Sequence, residues 1–314
     1  MQATGPAMET DGEGQRTTVV AAPLWLVGGL LLVAVAWPLA WFGPPLLREH
    51  TFFPLWLGYI LVVDGLTFRR TGSSLLSQSP ARFGLLFVFS IPLWWLFEVA
   101  NRFLDNWRYV VSRPIPAIDY AVRASIAFST VMPALFVTAR LWRTAPFFRR
   151  PIIWLKIAPS RSALAVIALT GAIMFTGSLA FPRYLFPLVW LGLFFLFDPL
   201  NARRGDPSLA AEVARGRWDT VVVLGAAGLT CGFFWEMWNI LAMPKWVYDV
   251  PFVGGAKLFE MPALGYGGYI PFALEIYAAY HLLHRLVLRR PDHHLGIAAP
   301  LPPSGRREGK RDAL

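Results

Sequence analysis

Long apolar runs, separated by short polar or basic stretches, dominate the pattern of this chain. A helix needs roughly 20 residues to cross about 30 Å of hydrocarbon, and eight of the runs come close to that length. Only Pro182 and Arg183 lie between the fifth and sixth runs, which indicates either a tight turn or a wrongly divided pair. The pattern predicts transmembrane helices over Val19–Phe42, Phe52–Phe68, Phe83–Phe103, Ala117–Leu141, Ala163–Phe181, Tyr184–Leu200, Val221–Met243 and Leu264–Leu286.

The composition agrees with a membrane protein. The 314 residues are 56% hydrophobic and 15% charged, with a mean hydropathy of +0.49. These values are wrong for a soluble two-domain protein of this length. We therefore predict an all-α, polytopic integral membrane protein with about eight transmembrane helices.

Two stretches of the chain are nearly the same. Trp56 to Arg70 and Trp190 to Arg204 match at 7 of 15 positions, and each is followed by an apolar run that carries Glu-x-x-Asn. An even number of spans returns the chain to the same side, so the two copies would share one orientation about an axis along the membrane normal. We predict two parallel four-helix repeats, over residues 19–142 and 163–290.

The distribution of positive charge predicts an orientation. Most of the 29 Lys and Arg residues fall on one side of the predicted spans, which is the side that faces the cytoplasm in the cell (inner) membrane. Both termini are then cytoplasmic. The net charge of +10 favours contact with anionic lipid headgroups at this face, and binding of nucleic acid is the weaker interpretation.

Three segments lie outside the predicted repeats. Residues 1–18 are small and polar without the features of a signal peptide, and residues 291–314 are rich in Pro, Gly and charge; both are predicted to be disordered tails. The basic linker 143–162 suits a helix or loop lying in the cytoplasmic interface, and equally an ordinary basic loop. The one cysteine, Cys231, excludes an intrachain disulfide and makes a thiolate metal site implausible.

The acids within the predicted spans are the candidates for chemistry. Glu98 and Asn101 are three residues apart and share one helix face, as do Glu236 and Asn239. A carboxylate within a span costs about 2.5–3.5 kcal/mol, so it usually faces the interior of the bundle with a partner. The aromatic run around Glu236 would favour the neutral acid, which could protonate an alkene. The substrate-binding candidates beside it are Trp235 and Trp238.

A structural role is the competing interpretation of the same residues. Each Glu would hydrogen-bond a facing helix, each Asn would cap the end of its span, and the tryptophans would form an interfacial belt. Asp64 and Asp198, each followed by an Arg pair, are better explained as structural locks at helix ends than as catalytic groups.

The segment after the seventh span is rich in Gly and Pro, which forbid one continuous helix. We predict a structured outer loop or re-entrant turn that contributes Trp246, Tyr248 and Glu260 as further candidate binding residues. Glu275, on the predicted eighth span, is the third candidate catalytic acid. His281 and His284 are spaced to share a metal but are best explained as ordinary interfacial histidines, so neither a metal nor a cofactor is predicted.

An acid that follows aromatics late in a span, then Trp-x-Tyr, then a Gly- and Pro-rich stretch, occurs in "FFWEMWNILAMPKWVYDV" and more loosely in "WWLFEVANRFLDNWRYV". This pattern resembles the repeated membrane-embedded lycopene cyclase-type domain of carotenoid biosynthesis. The resemblance implies small repeated helical units, and acids that protonate an alkene and stabilise a carbocation without net redox change.

Three classes of function follow. The first is a membrane enzyme acting on a lipid or isoprenoid, with Glu236 as the acid and Glu98 and Glu275 supporting it. The second is a proton-coupled transporter or lipid-handling protein in which the same acids are protonation sites. The third is a non-catalytic assembly protein whose acids only join helices. The predicted partner is a membrane lipid or another apolar small molecule.

Overall fold

The computed structural model describes residues 21–253 and 255–298. The predicted tail 1–18 and residues 299–314 of the predicted C-terminal tail lie outside this part of the chain. In chain order the helices are α1 (Leu24–Phe42), α2 (Pro45–Arg48), α3 (Phe52–Thr71), α4 (Leu75–Gln78), α5 (Pro80–Leu104), α6 (Ala117–Phe128), α7 (Val131–Arg143), α8 (Pro146–Arg149), α9 (Arg161–Ala180), α10 (Pro182–Leu185), α11 (Val189–Arg204), α12 (Leu209–Val213), α13 (Asp219–Asn239) and α14 (Tyr269–Leu288). The strands are β1 (Trp107–Val110), β2 (Lys245–Tyr248), β3 (Lys257–Leu258) and β4 (Met261–Pro262).

The chain forms an all-α polytopic membrane protein. Within the described residues, 7 helical segments are long and apolar enough to cross a membrane. The eighth predicted span coincides with α14, a helix of 20 residues that is not one of the seven. Its tyrosines, histidines and Glu275 lower its hydropathy, yet it packs along both α11 and α13 and is buried on most of its surface.

The structure divides one predicted span and explains the short gap between two others. The fourth is divided after Phe128, where the hydroxyls of Ser129 and Thr130 donate to backbone carbonyls, and α7 then resumes with a proline in its first turn. Between the fifth and sixth spans the chain makes a tight turn through α10 and the 3-10 turn Phe186–Leu188, so the two were correctly separated.

Successive long helices run back and forth between two ends of the bundle. One end, here called the ribbon end, carries β1 and β2, which pair in an antiparallel two-stranded ribbon. The opposite end, here called the basic end, holds ion pairs between helix termini, such as Arg143 with Asp219 (3.0 Å) and Arg285 with Asp206 (2.9 Å).

Two pairs of helices pack closely at glycine residues, which have no side chain to hold the backbones apart. Gly29 of α1 lies against Gly58 of α3, and Gly171 of α9 lies against Gly192 of α11. A Cβ atom built at Gly29 would stand 2.8 Å from the carbonyl oxygen of Gly58. Small residues at such contacts let helix backbones approach closely, which is how helices associate in a bilayer.

The linker is neither a continuous helix nor a free loop. After α8 it runs extended, and Ile153 forms an isolated antiparallel bridge with Arg217. The backbone N–H of Trp218 donates to the carbonyl of Ile152 at 2.8 Å. The ring of Trp154 is 68% exposed, so the linker presents an apolar outer surface beside its basic residues.

The prediction of a disordered tail from Pro291 is wrong for residues 291–298. Asp292, Leu295 and Ile297 are buried, and Asp292 accepts a hydrogen bond from Tyr280 at 2.6 Å. The composition of this segment is typical of a disordered tail. The burial of three side chains offsets the conformational entropy that the segment loses when it is ordered.

Candidate functional site

The ribbon places the two Trp-x-Tyr segments side by side. Trp107 pairs with Tyr248, and Tyr109 pairs with Trp246, in antiparallel register. Alternate residues of a strand point to the same face, so the two indoles and two phenols share one face of the ribbon. That face covers the ends of α5 and α13, where the two Glu-x-x-Asn motifs lie.

The carboxyl group of Glu98 accepts hydrogen bonds from three aromatic side chains. Its Oε1 atom receives the Tyr109 hydroxyl at 2.6 Å, the Trp94 indole N–H at 3.0 Å and the Trp107 indole N–H at 3.4 Å. Trp94 is on the same helix one turn earlier, and the other two come from β1. Glu98 therefore anchors the strand that follows its own helix.

Glu236 has a closely similar set of partners. Its Oε1 atom accepts from the hydroxyls of Tyr269 at 2.6 Å and Tyr248 at 2.7 Å, and from the Trp246 indole at 3.4 Å. Glu236 is 0% exposed, and its Oε2 atom has no hydrogen-bond partner among the residues described. A buried carboxyl oxygen without a partner is costly, which favours a proton on this group or a ligand beside it.

The two asparagines hold the ribbon to the helices. Asn239 donates to the carbonyl of Trp246 at 2.7 Å and accepts from its backbone N–H at 2.9 Å. Asn101 donates to the carbonyl of Trp107 at 2.7 Å and accepts from the backbone N–H groups of Asn106 and Trp107. Both asparagines thus satisfy strand backbone groups that the ribbon leaves unpaired.

An aromatic cavity of about 290 Å³ lies beneath the ribbon. Both halves of the chain contribute to it. Its ring-bearing walls include Trp94, Trp107, Tyr109, Tyr120, Phe128, Trp190, Trp235, Trp246, Tyr248 and Tyr269. Three of these residues, Tyr109, Tyr248 and Tyr269, donate their hydroxyls to Glu98 or Glu236.

A second, polar pocket of about 230 Å³ lies on the other side of Glu98. Its lining comprises Trp95, Glu98, Val99, Asn101, Arg102, Asp105 and Tyr120. Tyr120 lines both cavities.

Charged residues surround one side of the aromatic cavity. Glu49 lines the cavity with His50 and Arg123, and its carboxylate pairs with Arg113 at 3.0 Å and Arg123 at 3.2 Å. Hydrogen bonding from Arg113 lowers the pKa of Glu49 to about 2, so it is ionised at neutral pH. Burial holds the pKa of Tyr248 well above its usual value, so its hydroxyl keeps the proton that it donates to Glu236.

Of the predicted site residues, Trp235, Trp246 and Tyr248 line the aromatic cavity and Glu98 and Asn101 line the polar pocket. The residues that line neither space are Glu236, Asn239, Trp238, Glu260 and Glu275. Trp238 packs among Trp56 and Tyr59, with ring centroids 5.0 and 5.9 Å away. Glu260 pairs with Lys245 at 2.5 Å on the ribbon side. Glu275 lines neither of the two cavities; it is fully buried, and both carboxyl oxygens lack partners within the described residues.

The aspartates act as helix caps. Asp64 accepts from the Ser74 hydroxyl and the Leu76 backbone at the start of α4, and Asp198 accepts from the Leu209 and Ala210 backbones at the start of α12. Carboxylates at helix N-termini stabilise the unpaired N–H groups there. This agrees with the structural role that the sequence indicated.

Sequence reasoning missed Tyr269, Trp94, Tyr120 and Glu49. The signal for Trp94 was available, because it lies four residues before Glu98 and therefore on the same helix face. Tyr269 reaches Glu236 across 33 residues through a loop whose path is not readable from local pattern.

Fold and site together define a polytopic α-helical membrane protein with an aromatic cavity under a two-stranded ribbon. Within the described residues, no group of three or more His, Cys, Asp or Glu side chains is placed to hold a metal ion. Comparison of the chain with protein-family models, curated proteins and solved structures gave no match.

Proposed function

We propose that this protein is a membrane enzyme that carries out acid-assisted chemistry on an apolar, isoprenoid-like molecule in the aromatic cavity. One observation carries the proposal: three tyrosines whose hydroxyls donate to a buried or half-buried glutamate line one cavity, and its remaining wall consists mainly of aromatic and aliphatic side chains. Aromatic walls suit an apolar substrate, and the few polar groups would fix its orientation.

The chemistry is a proton transfer through tyrosine. The Tyr269 or Tyr248 hydroxyl gives its proton to an alkene carbon while its oxygen takes a proton from the neutral Glu236 carboxyl. The carbocation formed is stabilised by the faces of Trp235 and neighbouring rings. Loss of a proton from an adjacent carbon, back through the tyrosine to the glutamate, completes an isomerisation or cyclisation without net redox change.

The position and lining of the cavity favour this function over transport. A transporter of a polar solute would be expected to hold a polar cavity near the bilayer midplane, reaching one face. The cavity here lies at the ribbon end and is lined mainly by rings. An assembly protein would be expected to have every buried acid paired, whereas the Oε2 atom of Glu236 is without a partner in the described part of the chain.

The test compares extracted lipids and pigments from cells with and without the chain, and from cells carrying Glu236→Gln. Glu260→Gln is the matched control, since Glu260 lies at the same end but pairs with Lys245, whereas Glu236 accepts hydrogen bonds from two tyrosines that line the aromatic cavity. We expect an apolar product that is lost on deletion and in Glu236→Gln and retained in Glu260→Gln. An unchanged profile on deletion would remove the enzyme proposal.

A further inference from the structure

The two glutamates share a partner set but differ in surroundings. Each Oε1 atom accepts from a Trp-x-Tyr segment of the ribbon. Glu236 is 0% exposed, and Tyr269, at the start of α14, donates a third hydrogen bond to it. Glu98 is half-buried and lines the polar pocket. A carboxyl group that exchanges its proton with the solvent needs such contact with water.

The polar pocket has the properties of a water entry. Its volume of about 230 Å³ is far larger than one water, which occupies about 30 Å³ in the liquid. Arg102 and Asp105 line it and are exposed at the end of α5, where charged side chains mark the water-facing side of a span. Asn101 adds a polar group to the wall.

Tyr109 connects the polar pocket to the aromatic cavity. Its ring lines the aromatic cavity, while its hydroxyl donates to Glu98, which lines the pocket, at 2.6 Å. Tyr120 lines both spaces, and its ring centroid lies 6.5 Å from that of Tyr109. Because burial raises the pKa of Tyr109 well above its usual value, this hydroxyl passes protons on without remaining ionised.

We infer that the polar pocket is the water entry of the site, and that Glu98 and Tyr109 relay protons from it to the aromatic cavity. The inference rests on the proposed function. A hydronium ion in the pocket protonates the Glu98 carboxylate and leaves water. The Glu98 proton then moves to the Tyr109 oxygen as the Tyr109 proton passes to an alkene carbon of the substrate, and Glu98 returns to the carboxylate. The proton that the carbocation loses from an adjacent carbon returns to water by the reverse steps.

The first experiment measures water access without any substrate. The whole protein in nanodiscs is treated with a water-soluble carbodiimide and glycine ethyl ester, and labelled peptides are quantified by mass spectrometry. We expect Glu98 to react about tenfold or more faster than Glu236, because a sealed carboxyl reacts only through local opening. Equal rates, or no reaction at Glu98, would overturn the water entry.

A tryptophan that fills the polar pocket tests the route, and the same substitution elsewhere on the helix is its control. Val99 lines the pocket and is 49% exposed, whereas Val88 is 57% exposed on the same helix and lies outside it. Val99→Trp should slow labelling of Glu98 severalfold, and Val88→Trp should leave it unchanged. If both variants have the same effect, the pocket is not the route.

The relay itself is tested by fluorescence and by product formation. A rapid pH jump should change the emission of Trp94 and Trp107, which donate to Glu98, and this step should be lost in Glu98→Gln and kept in Glu236→Gln.

Tyr109→Phe should retain labelling of Glu98 but abolish the product. Normal product in both Glu98→Gln and Tyr109→Phe, with none in Glu236→Gln, would refute the relay and leave the proposed function standing. If Glu98 and Glu236 are labelled at the expected rates but no cells contain the apolar product, the proposed function is refuted and the water entry is retained.

Discussion

Replacing Asn239 by alanine tests how the ribbon is held over the cavity. The substitution removes the donor to the Trp246 carbonyl and the acceptor for the Trp246 N–H, at 2.7 and 2.9 Å. Side-chain hydrogen bonds in membrane proteins contribute about 0.6 kcal/mol on average and about 1.7 at most, so the two together contribute about 1–3 kcal/mol. Asn239 is 1% exposed, so water has little room to replace the lost groups and we expect the upper part of that range.

The matched variant is Asn101→Ala at the equivalent position of the first half. Asn101 is half-buried and lines the polar pocket, where water can take over its hydrogen bonds. We expect a loss of about 1 kcal/mol or less there, which is the net value of a hydrogen bond replaced by water.

Reversible unfolding in mixed micelles of mild detergent and dodecyl sulfate, followed by far-UV circular dichroism, measures both free energies of unfolding. Asn239→Asp is a useful third variant, because it keeps the acceptor for the Trp246 N–H and removes only the donor. The reasoning is refuted if Asn239→Ala costs less than about 0.5 kcal/mol, the range of a neutral surface substitution, or less than Asn101→Ala.

Three further predictions concern residues other than Glu98 and Glu236. Glu49 has a pKa of about 2 against an ordinary 4.5, so its ion pairs stabilise the fold above pH 4.5 and this stabilisation is lost as the pH falls towards 2. In thermal melts, the difference in melting temperature between wild type and Glu49→Gln should decrease over that range. A difference that stays constant would contradict the lowered pKa of Glu49. Gly29→Ala should destabilise the α1–α3 pair, whereas Gly28→Ala, where an added Cβ meets nothing within 4 Å, should not; detergent-resistance assays that rank the two alike would be inconsistent with the close contact. Asp198→Asn should cost about 1–3 kcal/mol, because a charged acceptor of two backbone N–H groups is weakened, and the exposed Asp249→Asn is the control that should unfold like wild type.

The helices were predictable because hydrophobic length alone determines which segments can cross a bilayer. α14 shows the limit of that signal. Its tyrosines, histidines and Glu275 reduce its hydropathy, and it is nevertheless buried because α11 and α13 surround it. The ribbon was not predictable for a different reason. Two four-residue strands carry no strong local pattern, and they exist because the fold brings Trp107 and Tyr248, which are far apart in the sequence, together at one end of the bundle.

The candidate site was predictable in its acids but not in its shape. Glu98 and Glu236 could be found because a carboxyl within an apolar span is costly, and Asn101 and Asn239 because helical spacing puts them on the same face. Glu275 satisfies the same cost argument, yet its carboxyl oxygens have no partner among the described residues, whereas Glu236 accepts from two tyrosines of the cavity wall. Which buried acid faces a cavity depends on how the helices pack, and no spacing within one helix reports that.

The ribbon also sets an order of events during synthesis. β1 emerges early, and its partner β2 follows well over a hundred residues later, after α13 has been made. Until then the backbone edge of β1 and the indoles that cover Glu98 face the lipid-water boundary without their partner strand. The first half of the protein is therefore in the membrane before β2 can pair with β1 and complete the ribbon over Glu98. A chaperone or insertase that protects the unpaired edge of β1 would act during this interval.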